Sequence, residues 1–255
     1  MRTLYESLLD INDVESGLGP IAMIDNWCKD NISGNYTIDE KTFEINSSSS
    51  ITINNKKLVV FPSYIRFGAV RGDFICGGCS SLTSLEGAPK KVGGNFLCNG
   101  CASLTSLEGA PKKVGGDFYC GHCTSLKSLE GAPKKISKDF YCAYCASLTS
   151  LKDAPEEVGG SFYCSHCVSL TSLEGAPKKV DRDFYCDNCA SLTTLKGAPE
   201  EVGECFSCSR CISLKSLEGA PEKVGGNFYC NNCISLTSLK GISAHIKGKI
   251  HSNIK

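Results

Sequence analysis

The first cysteine of a Cys-x-x-Cys pair falls at positions 76, 98, 120, 142, 164, 186, 208 and 230, a step of 22 residues held through eight copies without an insertion. Phe74, Phe96, Phe118, Phe140, Phe162, Phe184, Phe206 and Phe228 each sit two residues ahead of that cysteine. Two leucines follow, as in Leu126 and Leu129, then a turn such as Gly131-Ala132-Pro133, a branched residue and usually paired glycines. A segment this short cannot bury a core alone, so the copies must stack on one another.

The local pattern says how. In Asp117-Phe118-Tyr119-Cys120 the residues alternate with period two, so Phe118 and Cys120 share one side of a short strand and Asp117 and Tyr119 the other. Ala-Pro after the leucines disfavours a helix, and the paired glycines are expected to supply positive φ at a tight turn. Each repeat then has room for one strand and a compact return. In-register parallel strands about 4.8 Å apart would build an array roughly 40 Å long. The expectation is a mainly β chain: a helical segment over 1–33, a degenerate opening coil over 34–69, a parallel solenoid of eight coils over 70–245, and an incomplete ninth coil over 246–255. Phe, both Cys, both Leu, Ala and Val would fill the interior.

The pattern F-x-C-x-x-C-x-x-L-x-x-L resembles the leucine-rich-repeat consensus L-x-L-x-x-(N/C)-x-L-x-x-L over residues 70 to 241. The resemblance implies a leucine-rich-repeat-like solenoid, with the first cysteine in an inward strand slot and the second where that family usually places an asparagine ladder. Ahead of the array, "FEINSSSSITINNKKLVVFPSYIRFGAVRGDF" reads as the opening coil, with Ile51 and Ile53 inward and Leu58 and Phe61-Pro62 in its return. This lead-in and the "LYESLLD" start are similar to uncharacterised repeat proteins of gut bacteria and their bacteriophages, a resemblance that implies no established activity.

Eighteen cysteines require a chemical account. The start "MRTLYESLLDINDVES" has no apolar core behind a basic head, and no stretch approaches the ~18 apolar residues of a membrane span. A cytoplasmic address follows as the expectation, in a bacterial host cell if the chain is phage-encoded, and it favours thiols over disulfides. Buried thiols that pack as small apolar groups with a weak S–H donor are the favoured reading, with no cofactor. The alternative is zinc, because Cys98, Cys101, Cys120 and Cys123 have four-cysteine spacing. Disulfide exchange is the weakest reading, since no helix begins beneath the first cysteine to lower its pKa.

Stacking would align Tyr119, Tyr141, Tyr163, Tyr185 and Tyr229 in one outward stripe, beside a polar row that includes Asp117, Asp139 and Asp183. Tyrosines on a sheet face stabilise one another, and they also make a protein-binding surface. Lysine plus arginine equals aspartate plus glutamate at 27 each, so no overall field draws nucleic acid or membrane. Glu130 precedes Lys134-Lys135 while Lys152 precedes Glu156-Glu157, and this joint sign swap suggests an ion pair across each turn and argues against a continuous basic stripe.

At the N-terminal end, Thr3 and Glu6 resemble a capping box with Leu4, Leu8 and Ile11 on one helical face, and a second helix from Pro20 would present Ile21, Ile24, Trp27 and Cys28. At the other end, Ile246 and Ile250 hold the Val and Phe slots while Ser252 and Lys255 replace the cysteines, so self-association through an uncovered last coil is expected. No HExxH, GxSxG or P-loop appears. The reading is a non-enzymatic scaffold that binds an unidentified protein through the tyrosine face. Its rivals are a zinc-binding repeat protein and a purely structural element such as a phage particle component.

Overall fold

A computed structural model describes residues 18–243 and 245–254. The helix expected over Thr3 to Ile11 and the Lys255 slot lie outside the described residues. The chain forms a parallel β-solenoid whose elements are helix α1 (Pro20–Asn31), β1 (Ile32–Ser33), β2 (Thr37–Ile38), β3 (Ile45–Ser47), β4 (Ile51–Ile53), β5 (Phe67–Val70), β6 (Phe74–Ile75), β7 (Lys91–Val92), β8 (Phe96–Leu97), β9 (Lys113–Val114), β10 (Phe118–Tyr119) and β11 (Lys135–Ile136). The same alternation runs on to β21 (His245–Ile246) and β22 (Ile250–His251).

Every coil therefore carries two short strands, where the sequence suggested one. The Phe-Tyr strands make an 11-stranded sheet from β1 and β4 through to β22. Its repeats pair in register, Phe118 beside Phe140 and Tyr119 beside Tyr141. The second strand, as in Lys113–Val114, stacks on a separate side of the coil. Two residues of alternation are too few to announce a strand in sequence. Its neighbours reveal it only once the coils are stacked.

The paired glycines serve a purpose other than the expected one. Positive φ belongs to the turn glycine, such as Gly131 at 93°. Gly115 instead sits where the coils touch: a Cβ there would lie 2.2 Å from the carbonyl oxygen of Gly93 in the coil before. Backbone contact at that distance excludes a side chain, and glycine is selected for space rather than for torsion.

The interior is a set of columns. Phe118 and Phe140 are fully buried with ring centroids 5.3 Å apart and planes 16° apart, and the stack runs from Phe74 to Phe228. Leu126, Leu129 and both cysteines of each central coil are also fully buried. Offset stacking of such rings contributes about 0.5–1.5 kcal/mol per pair beyond the area buried. All eighteen cysteines are free thiols, and Cys205 alone is not buried.

Helix α1 covers the first coil. Pro20 opens it with a φ already suited to a helix, and Ile24 and Cys28 are fully buried. Trp27 meets Phe61 and Phe67 edge-on at 6.3 and 6.5 Å. Ile21, expected inward, is 39% exposed, one helical turn before the buried stripe. After the helix, β1 pairs antiparallel with β4, Ile32 opposite Ile53. Ile51 and Ile53 are inward as expected, and Leu58 and Phe61 are buried in the return. At the far end β21 and β22 do form, with Ile246 beside Val224 and Ile250 beside Phe228. Among the described residues no helix is long and apolar enough to cross a membrane.

Among the described residues most ion pairs join different coils, and none crosses a Gly-Ala-Pro turn. Lys134 meets Glu156 at 3.1 Å, Lys135 meets Glu157 at 2.6 Å, Lys178 meets Glu200 at 3.4 Å and Lys223 meets Glu201. The reason is geometric: stacked coils hold equivalent residues side by side, whereas Gly-Ala-Pro carries Glu130 away from Lys134. These partners are well exposed, so each pair contributes only ~0–1 kcal/mol.

Candidate interaction surface

The tyrosine stripe exists, and it is a stack. Tyr119–Tyr141, Tyr141–Tyr163 and Tyr163–Tyr185 have ring centroids 6.0, 5.5 and 5.4 Å apart. The Tyr141 ring leans over Gly121, where a Cβ would come within 2.4 Å of it. Ser207 interrupts the stripe, and Tyr229 resumes it by stacking on His251 at 4.5 Å. Partial burial raises the Tyr119, Tyr141 and Tyr185 hydroxyl pKa values above the ordinary phenol, so these rings stay neutral at physiological pH.

Beside the stripe runs a second row, the second of the two variable residues between each pair of cysteines; the sequence places this pair beside the tyrosine face but does not announce its backbone conformation. The residue before each second cysteine adopts left-handed backbone in all eight repeats: Gly78, Gly100, His122, Tyr144, His166, Asn188, Arg210 and Asn232 have φ between 57° and 73°. Each non-glycine residue held there costs about 1–2 kcal/mol, and the structure fixes it by backbone bonding. His122 N–H donates to the Ala143 carbonyl, Tyr144 N–H to Ser165 and His166 N–H to Asp187, at 2.8–2.9 Å. The side chains stack as His122–Tyr144–His166 with centroids 4.4 and 4.3 Å apart and planes within 8°. Gly78 and Gly100 in the first two copies were the available signal, since glycine marks left-handed positions; the later substitutions disguised it.

The two rows bound a groove of about 430 Å³ whose walls include Tyr141, Tyr163 and Tyr185 on one side and Tyr144, His166 and Arg210 on the other. Its floor is the small residue after each first cysteine, Ala143, Ser165, Asp187 and Ser209. Asp187 is partly desolvated there, which raises its pKa. Its Oδ1 already accepts the Ser207 hydroxyl and the Ser209 N–H, so the carboxylate is committed to the floor.

Asp117, Asp139 and Asp183 hold a different place. Asp117 Oδ1 accepts the Asp139 N–H at 2.9 Å, Asp139 Oδ1 accepts the Ser161 N–H at 2.8 Å, and Asp183 Oδ1 accepts the Cys205 N–H at 2.9 Å. Asn95 and Asn227 do the same for Asp117 and Lys249. This row ties coil to coil, and one oxygen of each carboxylate is already engaged.

The thiols make a ladder of their own. Cys101 Sγ–H donates to the Cys76 carbonyl at 3.3 Å, Cys123 to Cys98 at 3.2 Å, and the series continues to Cys233 and Cys208. Burial pushes the Cys120, Cys142, Cys145 and Cys164 thiols well up and Cys167 to about 12. A donor thiol is protonated, whereas a zinc ligand is a thiolate. Among the described residues no three His, Cys, Asp or Glu side chains converge as metal ligands, Cys98, Cys101, Cys120 and Cys123 included. Comparison with protein-family models, with curated proteins and with solved structures finds no match to this chain.

Proposed function

We propose that the chain is a non-enzymatic, cytoplasmic repeat scaffold of leucine-rich-repeat type that binds a protein partner in the groove between its tyrosine stripe and its left-handed row. One observation carries the reading: histidine, tyrosine and arginine occupy a backbone conformation that glycine would fill without strain. Strain of this kind is retained where the side chain is needed, and Tyr144, His166, Asn188 and Arg210 all hold it while bordering one groove. From Tyr141 to Arg210 the groove crosses four coils, roughly 15 Å, enough for about four or five residues of extended chain. Stacked aromatic rings supply rigid contact area at small entropic cost, as interface hot spots do. The groove's one carboxylate is tied up by Ser207 and Ser209, which supports binding over general acid–base chemistry.

Capture from a lysate of the native host, read by mass spectrometry, tests the proposal. The protein should retain a defined partner, and the Tyr141→Ala/Tyr163→Ala double variant should lose it while keeping the parent circular dichroism. Capture that persists in the folded double variant would remove the groove from the account.

A further inference from the structure

The second sheet is broken. It pairs without interruption from β2 to β9 and again from β11 to β21, but β9 and β11 are not joined. At the break lies a cavity of about 890 Å³, on a different side of the coils from the tyrosine groove.

Two local departures from the repeat coincide there, and other coils show each one acting alone. Ile136-Ser137-Lys138 replaces Val-Gly-Gly, which puts a Cβ into the slot of closest coil contact. Asp181 does the same in a later coil, yet its N–H still reaches the Val158 carbonyl at 3.1 Å. Lys113 and Lys135 would also face each other as like charges. Lys91 and Lys113 do so too, yet they pair, and Gly115 N–H bonds the Val92 carbonyl at 2.9 Å. Either departure alone leaves the ladder closed. At β9 and β11 both act together, and the ladder is open.

The charge pattern separates this region from the rest of the array. From Lys135 onward the ladder alternates, Lys135 against Glu157, Glu157 against Lys179, Lys179 against Glu201 and Glu201 against Lys223. Before it, three Lys-Lys pairs stack in succession. Arg71, Lys91, Lys112, Lys113, Lys134 and Lys135 line the cavity against only Glu130 and Asp153. Among the described residues no carboxylate lies within ion-pair distance of Arg71, Lys91, Lys112 or Lys113. The same fold neutralises equivalent lysines one coil later, so the unneutralised set is local to the opening.

We propose that this cavity binds a small organic polyanion, a nucleoside triphosphate or a compound of like charge and size. The unneutralised cations Arg71, Lys91, Lys112 and Lys113 span three coils, on the order of 10 Å, and the lysines of the next coil, Lys134 and Lys135, already meet Glu156 and Glu157. That length suits a triphosphate and is too short to track a duplex or a long acidic chain. Val92, Val114 and Ala132 also line the cavity and give an apolar body a surface to rest on. The site is independent of the tyrosine groove, and its test uses no protein partner.

Isothermal titration of the full-length protein with ATP, inorganic tripolyphosphate and adenosine, at low and at physiological salt, tests the assignment. ATP should bind more tightly than tripolyphosphate, adenosine should not bind, and salt should weaken both anions. Lys113→Glu restores the alternation Lys91, Glu, Lys135, so the fold should be kept while ATP affinity falls about tenfold or more. Lys179→Glu, in the alternating half, should leave ATP binding unchanged. Absence of ATP binding, or equal binding by the folded Lys113→Glu variant, would overturn the site. Equal affinity for ATP and tripolyphosphate would overturn the apolar floor. Tighter binding of duplex DNA or polyglutamate than of ATP would overturn the choice of a small ligand.

Discussion

Raising the pH above the thiol range should unfold the solenoid in one step. Cys120, Cys142, Cys145 and Cys164 are held well above the ordinary thiol value by burial, and Cys167 is held at about 12. In the unfolded chain the same groups ionise near 9.0. A raised folded pKa means that the native state keeps protons the unfolded state releases. Stability is therefore intact below pH 9 and falls as pH climbs toward the folded values. One unit above the unfolded pKa the linkage costs about 1.4 kcal/mol per thiol. Five such thiols lose about 7 kcal/mol at pH 10, which is comparable to the whole stability of an ordinary domain, about 5–15 kcal/mol. The assay is a pH titration under a phosphine reductant, with far-ultraviolet circular dichroism recorded beside thiolate absorbance at 240 nm. The bulk of the thiolate signal should appear together with the loss of dichroism, after a smaller early contribution from Cys101, Cys211 and Cys233, whose thiols are held low by hydrogen bonds with neighbouring cysteines. Thiolate that grows steadily to pH 10.5 in a protein with native dichroism would show that the sulfur atoms are not interior packing.

Further consequences are direct. Phe140→Ala removes a ring stacked at 5.3 Å on both neighbours and should cost about 3–5 kcal/mol in urea unfolding; a loss under 1 kcal/mol would deny the column its role. His166→Asn places a residue that tolerates left-handed backbone at φ 61°, so the melting temperature should hold or rise while partner capture weakens; undiminished capture would argue against the row as a contact. Ser137→Gly removes the Cβ at the sheet break and should let β11 bond to β9, stabilising the chain by about 1 kcal/mol and slowing amide exchange at residues 137 and 138. Unchanged exchange there would mean that charge alone holds the gap. No described strand covers β22, and Ile250 is 44% exposed, so light scattering at high concentration should show a dimer that Ile250→Lys dissolves; a monomer throughout would exclude that contact.

The interior was legible because a 22-residue lattice repeats each inward position eight times, and Phe, Cys and Leu have one reason to recur there. What the sequence concealed shares a cause. The Lys-Val strands are two residues long and take their identity from neighbours in other coils. The Gly-Gly pair could be read for torsion, and only the 2.2 Å approach of Gly115 to Gly93 shows that it is there for clearance. Glu130 and Lys134 are close in sequence, yet most of the pairs that form among the described residues join residues 22 apart, such as Lys134 with Glu156. The outward face was half legible: Tyr119 to Tyr185 announced itself by identity, whereas His122, Tyr144, His166 and Arg210 share a backbone conformation and no chemistry.

In a lattice this regular, departures carry information that the consensus cannot. Buried columns tolerate little, and Phe, both Cys and both Leu scarcely vary between Phe74 and Leu236. Two sets of departures stand out, and at each of them the array accepts a local cost. On the tyrosine side the cost is left-handed backbone at His122, Tyr144, His166 and Arg210. On the other it is an opened ladder between Lys113 and Lys135, where three Lys-Lys pairs stack against the alternation kept everywhere beyond them. Neither cost helps the solenoid stand: glycine would relieve the first, and a glutamate at 113 would relieve the second. The two sites are therefore separable by mutation. Substitutions in the left-handed row should leave ATP binding alone, and Lys113→Glu should leave partner capture alone. A single substitution that abolished both would mean that the two faces are coupled through the coils, and the assignment of independent functions would fall.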